Sequence, residues 1–158
     1  MTRVVHPFPP VVDEKSRVLI LGSFPSTVSR KMQFYYANHN NRFWKVMEIL
    51  FEETIMDREA FCHAHHIALW DVIASCSIQG SSDASIRDVK VNDINALIQN
   101  TEIHTIFTTG AKAFDLMMKH VCTDVPVVRL PSTSSANAAM RLDDLVEKYR
   151  VIVEETCR

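Results

Sequence analysis

Val18-Leu19-Ile20-Leu21-Gly22-Ser23-Phe24-Pro25-Ser26 reads as a short apolar strand that ends at a glycine and opens into a Pro/Ser loop. The apolar residues do not alternate with polar ones, the pattern of a strand covered on both faces, as in a parallel sheet. Beyond the loop lies Phe34-Tyr35-Tyr36-Ala37-Asn38-His39-Asn40-Asn41-Arg42-Phe43-Trp44, crowded with aromatic and amide side chains. Aromatic rings offer stacking faces, and an amide offers a donor and an acceptor on one plane. Such a set suits a pocket for a flat heterocycle such as a nucleobase. On composition alone, a core strand, a loop and a helix start account for it equally well.

The same grammar repeats along the chain. Strands are expected over 17–21, 67–72, 104–108 and 125–130, and helices over 42–52, 58–65, 93–99, 111–121 and 138–155. Phe43, Val46, Met47 and Leu50 follow helical spacing, as do Leu142, Leu145, Val146 and Tyr149. Asn40 or Asn41 is placed to cap the first of these helices and Asn137 the last. Alternating strands and helices predict an α/β three-layer sandwich with a central four-stranded parallel sheet flanked by helices. The three glycines, Gly22, Gly80 and Gly110, each follow an expected strand. Ligands in such folds bind beyond the carboxyl ends of the strands. The Pro-rich start, His6-Pro7-Phe8-Pro9-Pro10, is expected to run extended across the surface.

At 158 residues the chain makes one domain with room for a real core, and 47% apolar with 23% charged residues is ordinary for a soluble protein. No apolar run approaches the roughly 18 residues that a membrane span needs, and residues 1–10 lack the apolar core of a signal peptide. A cytoplasmic monomer is the expectation. Cys62, Cys76, Cys122 and Cys157 form no CxxC pair and should be free thiols. Cys62, His63, His65 and His66 are the densest potential ligand group, yet no second cluster stands at zinc spacing, so no metal or cofactor is expected. Walker A, G-x-G-x-x-G and G-x-S-x-G patterns are absent, which argues against nucleotide-binding enzymes and serine hydrolases. The formal net charge of −2 offers no global attraction to nucleic acid, so DNA binding would need a local basic face. Arg30, Lys31, Arg42, Lys45 and Arg87 are the candidates for it.

Four blocks then carry a resemblance: Gly22–Ser26, Phe34–Trp44, Gly80-Ser81-Ser82-Asp83-Ala84-Ser85-Ile86-Arg87, and Leu130-Pro131-Ser132-Thr133-Ser134-Ser135-Ala136-Asn137. In order and spacing they resemble the uracil-DNA glycosylase superfamily, and most of all its hypoxanthine-DNA glycosylase branch, family 6. The resemblance implies a monofunctional enzyme that flips a deaminated base out of DNA and hydrolyses its N-glycosidic bond, with DNA as partner. Most of the superfamily carries Asp or Asn where this chain has Phe24, and several branches carry a histidine where it has Leu130. Both departures are shared with the hypoxanthine branch and count against a conventional uracil glycosylase.

By that resemblance Asn38 is the catalytic candidate, orienting either the base or the attacking water; a turn role is its structural alternative. Gly22, Ser23, Phe24, Pro25, Phe34, Tyr35, Tyr36 and Asn41 are the implied base pocket, with Asn41 also a natural helix cap. Ser26, Ser82, Arg87, Pro131, Ser132, Thr133, Ser134, Ser135 and Asn137 are the implied DNA contacts. Residues 133–136 are all small, so a duplex-wedging side chain is absent there or supplied elsewhere. A uracil or mismatch glycosylase, and a non-catalytic nucleic-acid or heterocycle-binding domain of the same fold, remain the alternatives.

Overall fold

The computed structural model describes residues 2–158. Its centre is a parallel sheet of β2 (Val18–Gly22), β3 (Ile67–Asp71), β6 (Thr105–Thr109) and β7 (Val127–Leu130), in the order β3-β2-β6-β7. The four-stranded sheet anticipated from the sequence is therefore the sheet of the protein. Although β2 is apolar throughout, its pleat still sorts it. Val18 and Ile20 face one layer, with Phe107, α2 (Phe43–Phe51), α3 (Arg58–Ala64) and α6 (Leu142–Thr156). Leu19 and Leu21 face the other, with α4 (Ile94–Ile98) and α5 (Ala111–His120). Alternate side chains of a strand point to opposite faces, so two cores are built from one run of four residues.

The second layer holds a feature that sequence patterning did not reveal. A three-stranded antiparallel sheet, in the order β1-β4-β5, joins β1 (Arg3–Val5), β4 (Ile73–Ser77) and β5 (Arg87–Val91). Only Val72 separates β3 from β4, so the two strands read as one apolar run. A short helix, α1 (Thr27–Met32), replaces the loop read after Pro25-Ser26; Ser26 caps it by accepting from the Ser29 amide at 3.1 Å.

Two expectations are corrected. The N-terminal segment is not a surface strap: β1 pairs with β4, Val11 bridges to Leu69, and Phe8 and Val11 are buried. Burial of apolar side chains outweighs the extended habit of a Pro-rich stretch. Nor does Asn137 cap the last helix. That helix starts at Leu142, where the Arg141 amide donates to the Asp144 carboxylate at 3.0 Å; the Asn137 amide instead donates to the Ser132 carbonyl at 3.0 Å.

Candidate active site

A cleft of about 190 Å³ lies over the carboxyl ends of the central strands. Gly22, Asp71 and Thr109, the last residues of β2, β3 and β6, line its floor, and the loop after β7 closes one side through Ser132, Thr133, Ser134 and Ser135. Ser23, Phe24, Pro25, Ser26, Tyr35, Tyr36, Asn38 and Asn41 complete the wall, together with Ser29, Ser81 and Asp83. The strand ends thus converge on one concavity, as open α/β sheets require.

The aromatic segment is pinned from several sides. The Trp44 indole donates to the Tyr35 carbonyl at 3.0 Å, the Tyr35 hydroxyl donates to the Pro9 carbonyl at 3.0 Å, and the Ala37 amide donates to Ser29 at 3.1 Å. Tyr36 adopts a left-handed backbone (φ 53°), which costs a residue with a Cβ roughly 1 kcal/mol or more. Its ring stacks on Phe43 with centroids 4.0 Å apart, and its hydroxyl lies 3.3 Å from Thr109 Oγ1. Burial, and after it the Asp71 charge, push the Tyr36 phenol well above its ordinary pKa, so it stays neutral. Phe24 is buried against the cleft, with the Arg30 guanidinium 5.6 Å above its ring.

Asn38 lines the cleft, and its Oδ1 accepts from the Asn40 amide at 2.9 Å. The turn role and the pocket role therefore coexist in one side chain. With Oδ1 used by the loop, the free half of the amide is the Nδ2 donor. Asn41 caps α2 through Oδ1, which accepts from the Phe43 amide at 2.9 Å and the Thr133 hydroxyl at 2.8 Å. It thereby ties the helix to the loop after β7.

Several expected site residues stand elsewhere. Phe34 turns away from the cleft to stack on Trp44, because successive residues of an extended segment face opposite ways. Ser82, Arg87, Pro131 and Asn137 do not line it either: Arg87 donates to the Ala84 and Ile86 carbonyls, and the Pro131 carbonyl accepts from the Tyr149 hydroxyl. Two proposed phosphate cations are already engaged. Arg42 donates to the carbonyls of Thr133, Ser134, Asn137 and Met140, and Arg30 to those of Pro25 and Gly80. Both guanidinium groups brace loops around the cleft. The Cys62 group does not gather a metal site: His63 faces Asp13 at 3.1 Å, His65 faces Glu53 at 3.2 Å, and Cys62 is buried.

Sequence reading passed over Asp71 and Asp83 in the cleft wall. Asp71 is 4% exposed, its Oδ2 lies 2.7 Å from His6 Nε2, and β1 delivers that histidine. A carboxylate inside the apolar run 67–73 was the signal available, because buried charges are rare unless paired. Nothing local marked His6. Asp83 accepts from Ser23 Oγ at 2.9 Å. Desolvation raises its carboxyl above the ordinary range, while the Ser23 hydrogen bond and the Lys112 charge pull the other way.

Comparison with known proteins fits this geometry. The model of the uracil DNA glycosylase superfamily matches residues 9–153. The chain belongs to the uracil DNA glycosylase superfamily. A hypoxanthine DNA glycosylase from Methanosarcina acetivorans is 34% identical over 139 residues, 82% of this chain and 86% of that protein. A hypoxanthine DNA glycosylase from Methanosarcina barkeri is 34% identical over 95 residues, 57% of this chain and 60% of that one. A solution NMR structure of a Methanosarcina acetivorans protein, described as a candidate uracil DNA glycosylase, superposes with a TM-score of 0.78 at 29% identity, covering 96% of this chain and 97% of that one. Uracil DNA glycosylase superfamily membership accounts for the central sheet and for the cleft at its strand ends.

Proposed function

We propose that this glycosylase excises hypoxanthine from deoxyinosine in DNA, acting as a cytoplasmic monomer in base-excision repair. The observation that carries the reading is the cleft itself: Tyr36 and Phe24 offer aromatic surface, Asn38 offers a free amide donor, and one chain supplies the whole wall. Base–aromatic stacking contributes about 1–3 kcal/mol, which offsets much of the cost of extruding a nucleotide. The free Nδ2 of Asn38 suits the C6 keto oxygen of hypoxanthine. It suits an attacking water less well, since a general base must accept a proton from that water. Asn38 is accordingly assigned to base recognition.

Cleavage develops oxocarbenium character at the sugar, and the DNA phosphates are the negative charges placed to stabilise it. Water is the nucleophile and an abasic site the product. Ser26, Ser132, Ser134 and Ser135 at the rim serve the DNA backbone. Three of these hydroxyls also hold their own loops, through the amides of Ser29, Ser134 and Ala136.

Base release from duplexes carrying one deoxyinosine or one deoxyuridine tests the proposal. Hypoxanthine release that falls by about 100-fold or more in Asn38→Ala is expected, the loss typical of a group acting on the reacting substrate. Preferential release of uracil would overturn the substrate assignment, and DNA binding without release of either base would overturn the activity.

A further inference from the structure

His6 and Asp71 form a pair that the reaction sketched above does not use. Their side chains are only 5% and 6% exposed, and His6 Nε2 stands 2.7 Å from Asp71 Oδ2. The imidazole sits in an aromatic box: Phe8 lies 4.7 Å away by ring centroid, and Phe24 and Tyr35 each 6.0 Å. His6 Nδ1 is buried without a hydrogen-bond partner. A histidine so enclosed, with one nitrogen unsatisfied, is an expensive way to hold a strand in place. The second carboxylate oxygen, Oδ1, is not held by His6, and Asp71 lines the cleft. Gly22 keeps that oxygen clear, since a Cβ there would stand 2.6 Å from it. The arrangement presents one acceptor-only oxygen to whatever occupies the cleft.

We propose that Asp71 Oδ1 accepts the ring N–H of a lactam base, and that His6 is the positioning residue that turns this oxygen toward it. The inference rests on the glycosylase reading above and deepens it. Hypoxanthine carries H–N1–C6=O, a donor beside an acceptor. Asp71 as acceptor and Asn38 Nδ2 as donor complement that edge. Adenine, the normal base closest in shape, reverses both groups: its N1 is an acceptor and its N6 a donor. A buried carboxylate facing N1 of adenine meets a lone pair, and unpaired polar groups of this kind give a site its strongest discrimination. The same charge favours a cationic sugar and opposes an anionic leaving base, so its effect is expected in selectivity more than in speed.

The test uses the full chain and matched duplexes carrying deoxyinosine, 1-methyldeoxyinosine or deoxyadenosine, read by single-turnover release and by equilibrium binding. In the wild type, methylation at N1 is expected to lower kcat/KM by roughly 100-fold or more. Asp71→Ala should bring the two inosine substrates within about threefold of each other, since a methyl then fits where the carboxylate stood. In Asp71→Asn the amide oxygen faces His6 and its NH2 the cleft, so preference for deoxyinosine over deoxyadenosine in binding should vanish. His6→Ala should weaken the discrimination, and His6→Gln, whose amide can still donate, should restore it. A purely structural pair would change stability but leave these ratios alone. Asp71→Ala with the wild-type methyl discrimination would overturn the proposal. Failure of the substrate reading looks different, as a wild type that releases no hypoxanthine. The ratio is then read from binding alone, and equal wild-type affinity for the two inosine duplexes overturns the pair's role.

Discussion

The Cα of Gly22 faces the carboxylate of Asp71 so closely that a methyl group there would stand 2.6 Å from Oδ1. Nothing in the backbone of Gly22 demands glycine: its φ is not positive, and it closes β2 in register with Asp71. Its small size makes room for a buried charge.

Gly22→Ala should therefore destabilise the fold by about 1–3 kcal/mol, the range for overpacking a core that cannot relax. Asp71 cannot swing aside without breaking its pair with His6. In Gly22→Ala/Asp71→Ala the clash is gone, and the two effects should be clearly less than additive. Urea unfolding of the four proteins checks this.

Arg42→Lys should loosen the loop after β7 while leaving the central sheet intact. A planar guanidinium reaches the carbonyls of Thr133, Ser134, Asn137 and Met140 together; an ammonium cannot. A loss of about 2 kcal/mol is expected from carbonyls left without a charged donor. Faster amide exchange over residues 132–140, with the β2 and β6 amides still protected, is the expected pattern.

The three tyrosines, Tyr35, Tyr36 and Tyr149, should not titrate as free phenols. Burial pushes all three above their ordinary pKa. A raised folded-state value means that the folded protein holds the proton after the unfolded chain has lost it. This stabilisation is complete below pH 10 and declines as pH climbs beyond it. Tyrosinate absorbance should appear in one cooperative step that coincides with the loss of helical circular dichroism. Three separate titrations in the folded state would contradict it.

Two of the four thiols should react readily with a disulfide reagent at pH 8. Cys122 and Cys157 are exposed, whereas Cys62 and Cys76 are buried. Desolvation pushes Cys62 up to about 12, so its thiolate is scarce at neutral pH. Peptide mapping after a short pulse should find label on Cys122 and Cys157, and on all four only in denaturant.

Much of the fold was legible because parallel strands and amphipathic helices carry local signatures. The apolar runs ending at Gly22 and before Gly110, and the spacing Phe43, Val46, Met47, Leu50, each identify an element without reference to the rest of the chain. The second sheet was not legible, since β5 is largely exposed and β1 is three residues long. Such strands are defined by their partners.

The site divides along the same line. Residues clustered in the chain, from Gly22 to Ser26 and from Tyr35 to Asn41, announce an aromatic, amide-lined pocket by themselves, because one loop brings them together. Side-chain direction was a tertiary decision: Phe34 packs on Trp44 while Tyr36 faces the cleft, and Arg42 braces a loop 91 to 98 positions away. So was the pairing of His6 with Asp71, 65 positions apart. Local sequence determines which elements form and which side chains a single loop can gather. Only the closed fold decides which distant polar groups share a low-dielectric space, and there a charge must find a partner.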